Sequence, residues 1–151
     1  MKSLFVVAAA CASLCAALPA SAQFAKPTDA ITYRQSVMEV MATHFSRIGQ
    51  MVQGRVPYDA KVAADNAALV LTMSKLPFVA FTPGTESGGN TKALPAIWSE
   101  ADKFKTTSTE LQDRVVKLDA AAKTGNLDQL KAAFGETGQS CKTCHDNFRG
   151  K

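Results

Sequence analysis

The chain reads as an all-α protein: an antiparallel, left-twisted four-helix bundle with a paired-cysteine motif in its last segment. Three observations predict this. Beyond residue 22 no segment alternates like a strand, while four segments repeat apolar residues seven positions apart. Rows of that period pack against similar rows at a shallow angle, and two of the three connections are short enough for antiparallel neighbours. Finally, Cys141-Lys142-Thr143-Cys144-His145 sits six residues from the chain end.

Residues 1–22 read as an export signal. Lys2 supplies the positive start, Leu4 to Leu18 is apolar but for Ser13, and Ala20-Ser21-Ala22 is a small-x-small cleavage site. The apolar run is short for a membrane span. Cys11 and Cys15 lie within it, so residues 23–151 form the expected domain and keep two cysteines, both in the motif. An exported chain whose one thiol pair belongs to the motif needs no disulfide framework, and a periplasmic location is expected. Removing Lys2 from 17 basic residues leaves 16 against 13 acidic, about +3. That charge is small and scattered, which argues against nucleic-acid binding and against a membrane role after cleavage. The remaining length suits one domain.

The first helical segment carries Ile31, Met38, Phe45 and Val52 in one row, with Met41 and Ile48 beside it. Pro27 suits its first turn, Asp29 favours the positive end of its dipole, and it stops near Gly54 and Pro57. The second opens at Asp59 as N-cap, has the row Val62, Leu69 and Leu76 with Val70 and Met73 alongside, and ends or kinks at Pro77. A longer connection follows from Thr82 to Leu94, with Pro83, Gly84, Gly88 and Gly89. The third segment opens near Pro95 with Ile97, Phe104, Leu111 and Leu118 in its row and Gly125 beyond its end. Asn126 caps the fourth, whose row is Leu127, Phe134, Cys141 and Phe148. Gly135 and Gly138 weaken that helix by about 1 kcal/mol each relative to Ala, and would let a neighbour or a porphyrin come close.

Cys-x-x-Cys-His is the attachment signature of a c-type haem. Two thiols one helical turn apart can form thioethers with two vinyl groups on one edge of the ring, and the next residue offers its imidazole to iron. Competing readings fit less well. A dithiol redox motif expects a βαβ setting. A zinc site needs four ligands, and the only other histidine, His44, lies in a distant segment.

With these residues in view, the chain resembles cytochrome c′, the class II c-type cytochromes. The resemblance spans essentially the whole of residues 23–151. It rests on Cys141 to Asp146 with the trailing Phe148-Arg149, on Gln23-Phe24-Ala25-Lys26-Pro27, on Tyr33-Arg34-Gln35-Ser36, and on the loop Phe81-Thr82-Pro83-Gly84-Thr85-Glu86. A haem motif at the very end of a four-helix chain, with no methionine after it, is the selective part.

The resemblance implies a homodimer with one haem c per chain. It implies five-coordinate iron that binds nitric oxide and carbon monoxide, with or without electron transfer to an unknown redox partner. It makes His145 the iron ligand, Cys141 and Cys144 the covalent anchors, and Arg149 the basic neighbour of that histidine. Arg34 and Gln35 would hold the propionates, and Glu86 would sit at the haem rim. Met38 would cover the open face, with Phe78 and Phe81 lining the pocket. Such a pocket offers no hydrogen-bond donor, which bound dioxygen needs more than the neutral gases do.

A second reading is a six-coordinate electron carrier with Met38 or Met41 on iron, since thioether ligation raises the potential. An enzyme is not expected, because no acid–base constellation accompanies the open face. Trp98 reads as a core or interface anchor, His44 as a residue of the core edge, and the first two helices as the dimer surface.

Overall fold

The computed structural model describes residues 23–151, and the expected export signal lies outside them. Five α-helices follow one another: α1 (Pro27–Val52), α2 (Ala60–Met73), α3 (Ala96–Ser99), α4 (Ala101–Lys123) and α5 (Leu127–Phe148), with a 3₁₀ turn at Pro77–Ala80. The four long helices close a ring in which α1 packs on α2, α2 on α4, α4 on α5 and α5 back on α1. No strand occurs among the described residues; an isolated bridge pairs Ala93 with Arg149.

The expected starts and stops are present. The Asp59 carboxylate accepts from the Val62 amide at 3.0 Å. Asn126 Oδ1 accepts from Asp128 N at 2.9 Å and Gln129 N at 3.0 Å. Both satisfy donors that a helix start otherwise leaves open. Asn126→Ala is expected to cost about 1 kcal/mol and to lower the midpoint of thermal unfolding by about 3 °C, read by circular dichroism.

The core of the bundle is Met41, Ile48, Met51, Ala63, Ala67, Val70, Leu111, Val115, Leu118, Ala122 and Leu130. The row expected for the third segment holds in Leu111 and Leu118; in α1 the buried seam is the adjacent Met41 and Ile48, with Met38, Phe45 and Val52 partly buried against it, and the row of α2 is displaced by one position. Val62 is 44% and Leu69 40% exposed, whereas Ala63 and Ala67 are fully buried. Alanines on the inner face let α1 approach closely, with Val70 buried beside them, while Val62 and Leu69 point outward. Asn66 is buried in the same seam: its Nδ2 donates to Val62 O at 2.7 Å, leaving Oδ1 to accept from His44 Nδ1 at 2.8 Å.

The third segment is also not one helix. Glu100 (φ −119°, ψ 46°) breaks it between α3 and α4. Nothing in the sequence marks this break, since Glu is a good helix former. The glycines of α5 are less confining than expected. A Cβ at Gly135 would meet open space, and one at Gly138 would meet only the Phe45 ring, at 3.8 Å. The tight crossing is at Gly49, where a Cβ would come within 2.9 Å of Phe134. That ring stacks on Phe45 with centroids 4.3 Å apart.

Candidate functional site

One end of the bundle opens into a cavity of about 660 Å³, within the usual range of small-molecule and cofactor sites. α5 contributes Cys141, Cys144, His145, Phe148 and, just past its end, Arg149. α1 brings Arg34, Gln35, Met38 and Met41 to it, and Phe78 and Phe81 reach it from the 3₁₀ turn and the residue after. The structure thus gathers every predicted site residue except Glu86 around one space. Glu86 is not on its wall; its carboxylate accepts from Gly84 N at 3.0 Å.

The two thiols are unpaired, Cys144 buried and Cys141 half-buried. Burial pushes both thiols up in pKa, Cys144 to about 11, with the neighbouring Cys141 adding to the effect there. Redox dithiols and zinc ligands need the thiolate, and their sites lower thiol pKa values. This pair is therefore poorly set for either role, and among the described residues no cluster of three or more metal-ligating side chains occurs. Partial burial, and then Arg149, lower the pKa of His145, against a smaller opposing pull from Asp146. That direction favours the neutral imidazole, which keeps a lone pair for a metal.

Arg34 is 3% exposed. Its Nη1 donates to Ala80 O at 3.1 Å and Thr85 Oγ1 at 2.8 Å, and its Nη2 donates to Thr85 O at 2.8 Å and Thr91 Oγ1 at 2.9 Å. The guanidinium also lies 4.4 Å from the centre of the Phe81 ring, an arrangement that favours a cation. Burial lowers its pKa and Glu86 works against that shift, yet no carboxylate makes an ion pair with it among the described residues. The result is a buried positive charge on the cavity wall whose four terminal N–H groups are all committed to the protein. Gln35 Nε2 reaches Asn90 O at 3.4 Å.

Other residues around the site had no role assigned from the sequence. Thr91 on the wall and Thr85 beside it serve as acceptors for Arg34. Phe104 and Phe148 meet edge to face at 5.2 Å, and Phe104 meets Phe81 the same way at 5.0 Å. These rings form an apolar floor behind the cavity. Trp98 stands behind them with its Nε1 donating to Thr82 O at 3.3 Å, and His44 is not on the wall.

The residues fit a covalently held haem. Both thiols and the imidazole of one helical turn face a largely apolar, cofactor-sized space with cationic side chains, Arg34 and Arg149, on its wall. Cys141 and Cys144 would anchor the ring and His145 would bind its iron.

Comparison with known proteins agrees. The family model described as cytochrome c′ matches residues 29–149. A cytochrome c′ of Rubrivivax gelatinosus is 57% identical over 129 residues, covering 85% of this chain and 100% of the relative. The crystal structure of cytochrome c′ from that organism superposes with a TM-score of 0.82 at 56% identity, covering 85% of this chain and 100% of that one. A nitric oxide complex of a cytochrome c′ variant from Alcaligenes xylosoxidans superposes with a TM-score of 0.80 at 51% identity, covering 85% of this chain and 99% of that one. A carbon monoxide-bound variant from the same organism gives 0.80 at 51% identity, with 85% and 100% covered. With its helices closed around a cavity that holds both motif thiols and the motif histidine, the chain belongs to the cytochrome c′ family, whose members carry one covalent haem c per chain.

Proposed function

We propose that this protein is a periplasmic gas-binding cytochrome c′. In this reading His145 would hold the iron and Cys141 and Cys144 would anchor the haem, while Met38, Phe78 and Phe81 would line the space where a gas is taken up. The observation that carries this reading is the composition of the cavity wall. It holds the His145 imidazole for the metal, and Met38, Phe78 and Phe81 bring no hydrogen-bond donor to it, while the terminal N–H groups of Arg34 are consumed by Ala80, Thr85 and Thr91. When bound, the haem supplies the iron at which a diatomic gas is taken up or an electron is stored. The apolar residues exclude water and favour neutral nitric oxide and carbon monoxide over dioxygen, whose bound form gains most from a donor. The relatives solved with those two gases support the same choice. Arg34, through its charge, and Gln35 are the proposed partners of the propionates, and Arg149 shields His145.

Two further parts of the reading have separate support. The 129 residues that cover the whole Rubrivivax relative equal the length left after residues 1–22, which suits cleavage of an export signal there. Val40 on α1 and Val62 and Leu69 on α2 are each at least 40% exposed. Exposed apolar side chains on both helices suit a homodimer through the first two helices.

The second reading, an electron carrier with a methionine on iron, is favoured by one fact: Met38 and Met41 both line the cavity. Single variants separate the two. Met38→Leu and Met41→Leu should each leave the reduced protein high-spin, with one broad visible band. A change of spin state in either variant identifies that thioether as a ligand and replaces this proposal with the carrier.

A further inference from the structure

Residues 82–94 cross the open end of the bundle as a strap, and two clasps hold it. The first is Arg34, which binds Thr85 and Thr91. The second is the chain terminus. Leu94 N donates to Phe148 O at 3.0 Å and Gly150 N donates to Lys92 O at 2.8 Å, making the antiparallel bridge of Ala93 with Arg149. Between Thr85 and Thr91, Gly88 (φ 100°) and Gly89 (φ 58°) occupy backbone conformations suited to glycine, with nothing within 4 Å of where a Cβ would stand.

The strap is part of the cavity wall: Asn90, Thr91, Lys92 and Ala93 line it, and so do Phe148 and Arg149 on the facing segment. The bridge therefore performs two tasks. It closes the non-helical stretch over the cavity, and it fixes Arg149, whose backbone has left the helix (φ −125°, ψ 124°), beside His145.

We infer that the Gly150 amide is a positioning group for the site. By pinning residues 90–93 and Arg149 to each other, it sets how readily a small ligand enters the cavity. The inference rests on the reading of that cavity as a haem gas site. Peripheral segments held by a few backbone hydrogen bonds open far more often than the whole fold does. A ligand that enters through the opened form arrives at a rate proportional to its population.

The test removes the donor and, because the proline Cδ stands where the amide hydrogen pointed at Lys92 O, also forbids the pairing sterically. Gly150→Pro eliminates the N–H, and the extended backbone of Arg149 is the conformation a residue before proline adopts. Gly150→Ala keeps the N–H, and its Cβ would meet Lys92 O at 3.6 Å and Leu94 Cδ2 at 3.7 Å, which is ordinary contact.

In the purified holoprotein, hydrogen exchange of residues 82–94 and the rate of carbon monoxide rebinding after photolysis are both measured. Gly150→Pro should raise both by roughly three- to tenfold, with exchange in α1, α2 and α4 unchanged and Gly150→Ala like the parent. Strap exchange that does not change in Gly150→Pro overturns the inference, as does faster exchange with unchanged rebinding. A parent protein that binds no carbon monoxide at all overturns the proposed function itself. A parent that binds it at a rate the proline leaves untouched overturns only the role of the strap.

Discussion

The double variant Cys141→Ala/Cys144→Ala should yield a chain from which acid–acetone extracts all the haem, and whose apo form lacks a cooperative unfolding transition. The first half follows from chemistry, since these are the two cysteines in residues 23–151. The second follows from volume. The cavity of about 660 Å³ is bounded by core residues of the bundle, including Met41, Val70, Leu111 and Val115. At ~24 cal/mol per Å³ of void, leaving it wholly dry would cost at most on the order of 16 kcal/mol, less where water enters its open side, against a net stability of an ordinary domain of roughly 5–15 kcal/mol. The prosthetic group is thus part of the hydrophobic core. Far-UV circular dichroism against temperature decides: a broad, non-cooperative loss of signal is expected, and a sharp transition in the haem-free chain would refute the volume argument.

Arg34→Met should lower stability by about 3–5 kcal/mol and the unfolding midpoint of the holoprotein by about 10–15 °C. The stem of the side chain is kept. What disappears is the donor set for Ala80 O and Thr85 O, in residues that are themselves 0% and 1% exposed. Buried acceptors left without partners cost about 1–3 kcal/mol each, and bonds to a charged donor are worth more than neutral ones. Arg34→Lys should fall between, because an ammonium keeps the charge but cannot reproduce a planar fork that engages Ala80, Thr85 and Thr91 together. A loss below about 3 °C for Arg34→Met would mean that these acceptors find water instead.

Much of this architecture was legible in residue spacing. Heptad rows in α1 and α4 and caps at Asp59 and Asn126 are local signals, so they survive folding. Cys141, Cys144 and His145 declare their chemistry because the covalent geometry demands that spacing. Grouping Arg34, Gln35, Met38, Phe78 and Phe81 with them required the family resemblance, since nothing in their own pattern links α1 to α5. The inner face of α2 was misread because alanine contributes little to a count of large apolar residues, yet it is what allows close helix approach. The break at Glu100 has no local signature. The Thr85 and Thr91 contacts depend on how a long connection folds back over α1. The bridge of Ala93 with Arg149 uses backbone groups that every residue carries, and so leaves no mark in the sequence.

The optical spectrum of the reduced, purified holoprotein before and after nitric oxide bears most directly on the claim that iron is gripped by His145 alone within an apolar chamber. A single broad visible band that is replaced when nitric oxide is added is the expected result. Sharp α and β bands before any gas, unaltered by nitric oxide, would show the metal already held from both sides and would contradict the account.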